Sequence, residues 1–302
     1  MSQFILFSVA QGLMWSILGI GIYLAFRILD IADMTAEGAY PLGAAVCATL
    51  IIHHVPAWIA TVMGFVAGLL AGYLTGFLHT KMHIPGLLAG ILSMTALYSI
   101  NLRIMGQANI SLLGENTLPN QLEQLGVSHS WIAFLIGGVA VIIVISGMVA
   151  FMYTERGLDL RATGDNPIMA EANGIPVNRM KRLGLMLSSG CTSLAGALLS
   201  QANGYADIGM GTGALVIGLA AIFIAEVLFR NLTFGQRLCT IVIGSILYRV
   251  TIDLIMRQEW IEIQPGDIKL LSAIVLALIL WGPHVMQSPS LRRLRKAGSS
   301  HA

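Results

Sequence analysis

Charged residues are scarce in this 302-residue chain: 11% are Asp, Glu, Lys or Arg, and 56% are hydrophobic. Soluble domains carry about 25% charged residues, so this chain cannot cover a water-facing surface with polar groups. Cysteine is scarce as well. The three cysteines, Cys47, Cys191 and Cys239, lie far apart in apolar stretches and form no CxxC motif. Nothing in their spacing supports a disulfide framework or a metal site.

Two catalytic signatures are also missing. A P-loop needs a lysine directly after a glycine, but the four lysines follow Thr80, Met180, Ile268 and Arg295. The chain therefore has no P-loop of its own with which to bind and hydrolyse ATP. There is no HExxH motif and no convincing nucleophile–base arrangement, so an intramembrane enzyme is the less favoured interpretation.

The hydrophobic residues form long runs without any charge. These runs are Met1–Phe26, Gly38–Thr80, Met82–Leu102, Gln124–Thr154, Leu183–Ala206 and Leu270–Leu291. A helix of about 18 apolar residues crosses a membrane, and the runs do not alternate as barrel strands do. The sequence predicts an all-α polytopic membrane bundle of about nine (8–10) spans. The expected spans are 4–26, 36–53, 56–78, 84–103, 130–152, 183–203, 212–229, 236–254 and 269–286.

Basic residues are retained on the cytoplasmic side of a membrane. If segment 153–182 is cytoplasmic, 13 of the 17 basic residues fall on that side. We therefore expect a multi-pass protein of a bacterial plasma (inner) membrane with a cytoplasmic C-terminus. Its transmembrane domain would cover 1–288, followed by a basic cytoplasmic tail, 289–302. With nine spans the N-terminus is external, and MSQFILF begins a first span instead of a removed signal peptide.

A faint internal repeat runs through the chain. Gly38-x4-Gly43-x-Ala45 recurs as Gly213-x4-Gly218-x-Ala220, and an aspartate, Asp33 or Asp207, precedes each copy. The two copies begin at opposite faces of the predicted topology, as in the inverted repeats of many transporters. Chance similarity among 33 glycines is the alternative.

Segment 153–182 is the exception to the apolar pattern, with a dense run of charges and turn residues. Asn166 is placed to cap a helix, and Pro167 suits its first position. Gly174 suits the left-handed residue after the helix end. The pattern predicts a short cytoplasmic helix over Pro167–Asn173, followed by an Ile175-Pro176 elbow. Such a helix is either an ordinary interfacial turn or an element on which a partner docks, because it is too short to be stable alone.

The stretch 160–198, LRATGDNPIMAEANGIPVNRMKRLGLMLSSGCTSLAGAL, resembles the cytoplasmic coupling region of ABC importer permeases of the branched-chain amino acid, ribose and nucleoside superfamily. That family carries an R-A-x-G-x-N-x-x-A-A-x-x-x-G-I pattern, and the residues that match it here are Arg161, Ala162, Gly164, Asn166, Ala170, Gly174 and Ile175. Stretches 26–48, 90–113 and 207–226 resemble the tryptophan/tyrosine-type permeases of the same group. The ATPase-coupling residues that the resemblance implies are Arg161, Gly164, Asp165, Asn166, Pro167, Ala170, Glu171, Gly174 and Ile175.

The resemblance implies a permease that works as a dimer in the lipid membrane, without a nucleic-acid partner. Two separate ABC ATPase subunits would bind ATP and Mg²⁺, so this chain would hold no cofactor. An extracytoplasmic binding protein would deliver the substrate, a small solute such as an aromatic amino acid. The alternative is an ion-coupled secondary transporter of about ten helices, which would not need the capped helix of segment 153–182.

Residues at the start of the second span and along the fourth span are candidates for the substrate pathway, because polar groups inside a membrane are often functional. The candidates are Glu37, Tyr40, Met94, Thr95, Tyr98 and Asn101. Asp33 and Glu37 could instead cap the start of the second span. Two charged pairs have helical spacing, Arg249 with Asp253 and Glu226 with Arg230, and each is expected to be structural. His79 and His83 share that spacing, but a third metal ligand is missing nearby.

Overall fold

The computed structural model describes residues 2–123, 128–229 and 232–256, together with positions 270, 273, 274 and 277. Within these residues, eight helices are long and apolar enough to cross a membrane. They confirm the predicted all-α polytopic bundle, and their positions match the first eight predicted spans. The ninth predicted span, 269–286, lies almost entirely outside the described residues, and the basic tail 289–302 lies wholly outside them.

The described elements follow one another with short connections. The long helices are α1 (Ser2–Tyr23, continued by a π-helical turn, Leu24–Ile28), α2 (Thr35–Ile52), α3 (Ala57–Lys81), α4 (Gly86–Met105), α6 (His129–Met152), α9 (Val177–Asn203), α10 (Ala214–Leu228) and α11 (Phe234–Met256). The shorter elements are β1 (Asn109–Ser111), α5 (Leu118–Glu123), α7 (Glu155–Asp165), α8 (Pro167–Ala172), β2 (Tyr205–Asp207) and a 3-10 turn (Ile208–Gly211).

Proline and glycine mark the helix boundaries where the sequence places them. The break expected between spans 36–53 and 56–78 is present: α2 ends at Ile52, and α3 begins at Ala57, directly after Pro56. Pro85 precedes α4 in the same way. Gly106 and Gly204 end α4 and α9 with left-handed φ values of 70° and 76°, as expected for helix C-termini.

The bundle has two distinct ends. At the charged end, Arg27 after α1 donates a hydrogen bond of 2.7 Å to Glu226 in α10, close to α7 and α8. At the distal end, Gln11 in α1 contacts Asn203, where α9 ends beside the strands. Successive spans run in opposite directions, so the start of α1 and the end of α11 both lie at the distal end.

Helix α9 forms the centre of the bundle and packs against α1, α2 and α3. Small residues allow this close packing. A Cβ atom added at Gly43 would lie 1.8 Å from the carbonyl oxygen of Ser193, and one added at Gly196 would lie 1.9 Å from that of Tyr40. The backbones of α2 and α9 therefore touch, as they do at small-residue interfaces between membrane helices.

The two copies of the sequence repeat begin with the same local structure. The Asp33 carboxylate accepts a hydrogen bond from the backbone N–H of Thr35 (2.8 Å), and the Asp207 carboxylate accepts one from that of Gly209 (2.6 Å). Each aspartate thus binds the amide two residues ahead. Irregular segment 29–34 enters from the charged end and precedes α2, whereas residues 205–213 enter from the distal end and precede α10. The two helices start side by side and run apart.

A two-stranded ribbon at the distal end is absent from the sequence prediction. Strands β1 and β2 pair antiparallel, with Asn109 opposite Asp207 and Ser111 opposite Tyr205. Their side chains also meet, since the Asn109 amide donates to the Asp207 carboxylate at 3.1 Å. Strand β1 and helix α5 both lie in the connection between α4 and α6, where the sequence predicted no element.

Candidate functional site

The short helix α8 at the charged end has the caps that the sequence predicts. The side chain of Asn166 accepts a hydrogen bond of 3.0 Å from the backbone N–H of Met169, and Pro167 is the first helical residue. Gly174 follows the helix with a φ of 82°, which a β-branched side chain resists. The helix spans Pro167–Ala172, one residue shorter than predicted.

Helix α8 projects from the bundle and exposes apolar side chains. Ile168 is 82% exposed and Met169 is 63% exposed, whereas Ala170 is 3% exposed and faces the bundle. The other predicted coupling residues divide into two groups. Asp165, Asn166, Pro167, Glu171 and Gly174 are exposed, and Ile175 is half-buried. Exposed apolar groups of this kind are typical of a surface that a partner covers.

Helix α7, which sequence reasoning missed, holds two predicted coupling residues against the bundle. The Arg161 guanidinium donates to the carbonyl of Met152 at 3.1 Å and lies 4.7 Å from the centre of the Phe234 ring. A Cβ atom at Gly164 would lie 1.6 Å from the carbonyl oxygen of Ile28. Arg161 and Gly164 therefore join α7 to the bundle instead of facing outward. The signal for α7 is Thr154, which caps it by accepting from Gly157 N–H at 3.3 Å.

A polar groove lies beside α8, where α3 ends and α9 begins. It has a volume of about 560 Å³. Its charged and titratable lining residues are Lys81, His83, Glu171, Arg179 and Arg182. Three of these are permanent cations, so the groove favours an anionic group of a partner.

A cavity of about 380 Å³ opens between α2, α4 and the 3-10 turn before α10. Five of the six predicted pathway residues line it: Glu37, Met94, Thr95, Tyr98 and Asn101. The lining residues outside the predicted pathway set are Gly38, Pro41, Ser99, Ile208, Gly209 and Thr212. Tyr40 is not among the lining residues. It is 2% exposed and stacks on Trp15 of α1, with the ring centres 5.2 Å apart, because it points away from the face that bears Gly38 and Pro41.

Two polar side chains of the cavity are engaged with backbone groups. The Glu37 carboxylate accepts a hydrogen bond of 3.1 Å from the backbone N–H of Gly213, just before α10. The Asn101 amide donates to the carbonyl of Gly38 at 3.2 Å. Its oxygen, Oδ1, is buried without a hydrogen-bond partner among the described residues. Glu37 thus caps the neighbouring helix α10, although the sequence left it as a pathway residue or a cap of its own helix.

Asp33 lies between the first two spans and does not line the cavity. It caps the start of α2, as one of the two interpretations predicted, and is 5% exposed. Burial raises the pKa of the Asp33 carboxyl, and hydrogen bonds from Thr35 oppose this shift. The Thr35 hydroxyl continues into a buried chain of hydroxyl groups, through Thr75 at 2.9 Å to Ser93 at a further 2.8 Å.

The charged pairs and the histidine that the sequence singled out have structural contacts. The expected pair is confirmed at α11, where Arg249 donates to Asp253 at 3.1 Å. Glu226 pairs with Arg27, and its expected partner Arg230 lies outside the described residues. The His79 ring contacts the carbonyl of Ile84 at 2.8 Å. No group of three metal-ligating side chains occurs in the part of the chain that the structure describes.

Comparison with known proteins identifies relatives over most of the chain. Residues 4–281 match the family described as "Branched-chain amino acid transport system / permease component". A tyrosine transport system permease protein of Clostridioides difficile is 37% identical over 271 residues, which cover 89% of this chain and 88% of that protein. An uncharacterised protein of Rickettsia prowazekii is 35% identical over 274 residues, which cover 89% of this chain and 94% of that protein.

A solved structure shares the fold. PsaBC from Streptococcus pneumoniae in complex with Fab superposes with a TM-score of 0.53 at 16% sequence identity. The superposition covers 98% of this chain and 94% of that chain. At this identity the likeness concerns the arrangement of helices alone.

Proposed function

Because this chain belongs to the branched-chain amino acid ABC transport system permease family, we propose that it forms the membrane path of an importer for aromatic amino acids. An extracytoplasmic binding protein delivers the amino acid, and separate ABC ATPase subunits bind ATP and Mg²⁺ and drive the cycle. The substrate class rests on the likeness to a tyrosine transport permease. Two copies of the chain form the working permease in a bacterial inner membrane, with the charged end and the C-terminus in the cytoplasm.

The exposed helix α8 is the observation that carries this proposal. A helix of six residues is not stable alone in water, yet Asn166 and Pro167 fix its start, and Gly174 fixes the turn after it. The most exposed apolar side chain on it is Ile168, at 82%. The cationic groove beside α8 suits an acidic rim around an apolar pocket on the ATPase.

Two routes lead from α8 into the bundle, one along the chain and one through a packing contact. Toward the C-terminus, residues 173–176 connect α8 to α9, which begins at Val177. Toward the N-terminus, α7 bears on the end of α1 through the close contact of Gly164 with Ile28. Segment 29–34 then continues to α2, whose first turn lines the cavity. Movement of α8 by the ATPase would therefore reach the cavity from two sides and open it alternately to the two membrane faces.

The experiment is reconstitution of the chain in proteoliposomes with a candidate ABC ATPase and a candidate binding protein from the same organism. We expect ATP-dependent uptake of radiolabelled L-tyrosine. Ile168→Asp places a charge in the docking surface, so it should abolish co-purification with the ATPase and reduce uptake at least tenfold. Leu113→Asp is the matched control for co-purification, because Leu113 is 84% exposed at the distal end.

Two results would contradict the proposal. One is uptake by the chain alone that follows an ion gradient and ignores ATP, as in a secondary transporter. The other is an Ile168→Asp variant that retains both the ATPase and full transport, since docking would then lie elsewhere.

A further inference from the structure

The start of α10 lies close to the middle of the bundle. Gly213 is 13 residues before Glu226 at the charged end, and Glu37 is 15 residues before Ile52 at the end of α2. At 1.5 Å per helical residue, the junction of Glu37 with Gly213 is roughly 20 Å from either end. Helix N-termini carry partial positive charge, and broken helices in transporters direct such ends at anionic substrate groups.

In this structure a carboxylate of the protein already lies at the start of α10. Glu37 accepts from the Gly213 N–H at 3.1 Å and also lines the cavity. The position therefore has the size and polarity for a carboxylate. A substrate carboxylate could take it if the Glu37 side chain turned toward the cavity.

A second, independent feature of the cavity is a buried acceptor, the side-chain oxygen of Asn101, without a hydrogen-bond donor among the described residues. Asn101 is 0% exposed and donates through its amide nitrogen to the Gly38 carbonyl. A carbonyl partner accepts only, so this contact fixes the amide orientation and makes Oδ1 the remaining acceptor. That oxygen has no partner in the described part of the chain, and a buried acceptor without a donor is destabilising.

These features are complementary to one chemical class. An ammonium group donates three hydrogen bonds and pairs with both the Glu37 carboxylate and Asn101 Oδ1. A carboxylate fits the N-terminus of α10. Met94 and the 58% exposed Tyr98 supply an apolar wall for a side chain.

We propose that Glu37, Asn101 and the N-terminus of α10 form a transient subsite that binds the ammonium and carboxylate groups of a zwitterionic amino acid. Glu37 moves from the Gly213 N–H to the ammonium as the substrate enters, and the substrate carboxylate replaces it at the helix end. When the substrate leaves, Glu37 returns and caps α10 again. This inference rests on the proposed transport of amino acids and adds the groups that recognise them.

The test measures weak binding directly, by saturation-transfer-difference NMR on the intact permease–ATPase complex in lipid nanodiscs without binding protein. The probes are L-tyrosine, tyramine, which lacks the carboxylate, and 3-(4-hydroxyphenyl)propanoate, which lacks the amine. We expect L-tyrosine to bind about tenfold more tightly than either analogue, since each lacks one charge-assisted contact.

Substitutions separate recognition from folding. Glu37→Gln retains an acceptor for the Gly213 N–H, so it should fold and weaken L-tyrosine binding about tenfold, while binding of 3-(4-hydroxyphenyl)propanoate, which has no ammonium group, is not weakened. Asn101→Ala should reduce the preference for L-tyrosine over the same acid. Thr251→Ala, on an exposed face of α11 and outside the cavity, should alter neither.

Equal binding of the three probes would overturn the subsite, as would absence of L-tyrosine binding to the wild-type complex. Loss of L-tyrosine and acid binding to the same degree in Glu37→Gln would also overturn it, because that pattern reports only a damaged cavity. Uptake in the proteoliposome assay distinguishes the two proposals. Normal ATP-dependent uptake with a failed subsite test overturns the subsite alone, and absence of uptake overturns the proposed function.

Discussion

At the scale of single residues, the close packing of the helices depends on glycines, which have no side chain. Gly43 and Gly196 let α2 and α9 touch through their backbones, and larger groups there would meet carbonyl oxygens that cannot move aside. Gly138 and Gly147 on α6 differ, since a Cβ atom at either position would have no atom within 4 Å. Sequence alone cannot separate these two kinds of glycine, because both lie in apolar runs.

Gly43→Val should destabilise the folded permease. The new side chain would overlap the Ser193 carbonyl, and relief requires separation of α2 from α9 at a cost of about 1–3 kcal/mol or more. A thermal unfolding scan of the purified protein in detergent should show a lowered Tm. Gly138→Val is the control and should leave Tm nearly unchanged. An unaltered Tm for Gly43→Val would mean that the two backbones are not in contact.

At the scale of elements, the sequence predicted the structures that neighbouring residues determine. It missed those that depend on contacts between distant residues. Helix α8 follows from Asn166, Pro167 and Gly174, which all act within a few residues of the helix. The β1–β2 ribbon joins residues 98 positions apart, Asn109 and Asp207, so no local pattern announces it.

The cavity combines two helices and a 3-10 turn, which explains why the sequence supplied only part of its lining. Polar residues on one helix, such as Thr95 and Asn101, could be recognised by their spacing. Thr212 belongs to a segment more than 100 positions further along the chain, and its proximity depends on packing of whole helices. Tyr40 was misplaced because the sequence does not reveal which face of α2 meets α1.

Gly174→Val should impair the docking helix while leaving the bundle intact. Valine resists the φ of 82°, so the turn after α8 would open and α8 would lose its fixed direction. We expect weaker binding of the ATPase, or lower transport per ATP hydrolysed, with Tm changed little. Asn tolerates left-handed geometry, so Gly174→Asn should retain most activity. Equal activity of the Val and Asn variants would show that the turn at Gly174 has no role in coupling.

At the scale of the whole molecule, alternation of eight described spans places Ser2 and Met256 at the distal end. The sidedness of the membrane follows from charge alone, since basic residues concentrate at the charged end. The fold and the membrane orientation therefore rest on different evidence. The first is confirmed by the structure, and the second stays a prediction.

Labelling with a membrane-impermeant maleimide tests that orientation in intact cells. In a Cys239→Ser background, which removes the exposed native thiol, Leu113→Cys should react from outside the cytoplasmic membrane. Ile168→Cys should react only after the cells are permeabilised. Cys47 and Cys191 are buried, so they should react little with the maleimide and give a low background of labelling. The reverse labelling pattern would place α8 outside and exclude contact with a cytoplasmic ATPase.

Helix α9 gives this arrangement a mechanical consequence. It has 27 residues and no break between Val177, next to the elbow after α8, and Asn203, next to the ribbon. At 1.5 Å per residue it is roughly 40 Å long. Helices α1, α2 and α3 pack closely against it. A tilt of α9 at one membrane face therefore also moves the end of α9 at the other face. In the proposed importer, α9 would therefore transmit the docking of a loaded binding protein inward, as well as transmit motion of the ATPase outward.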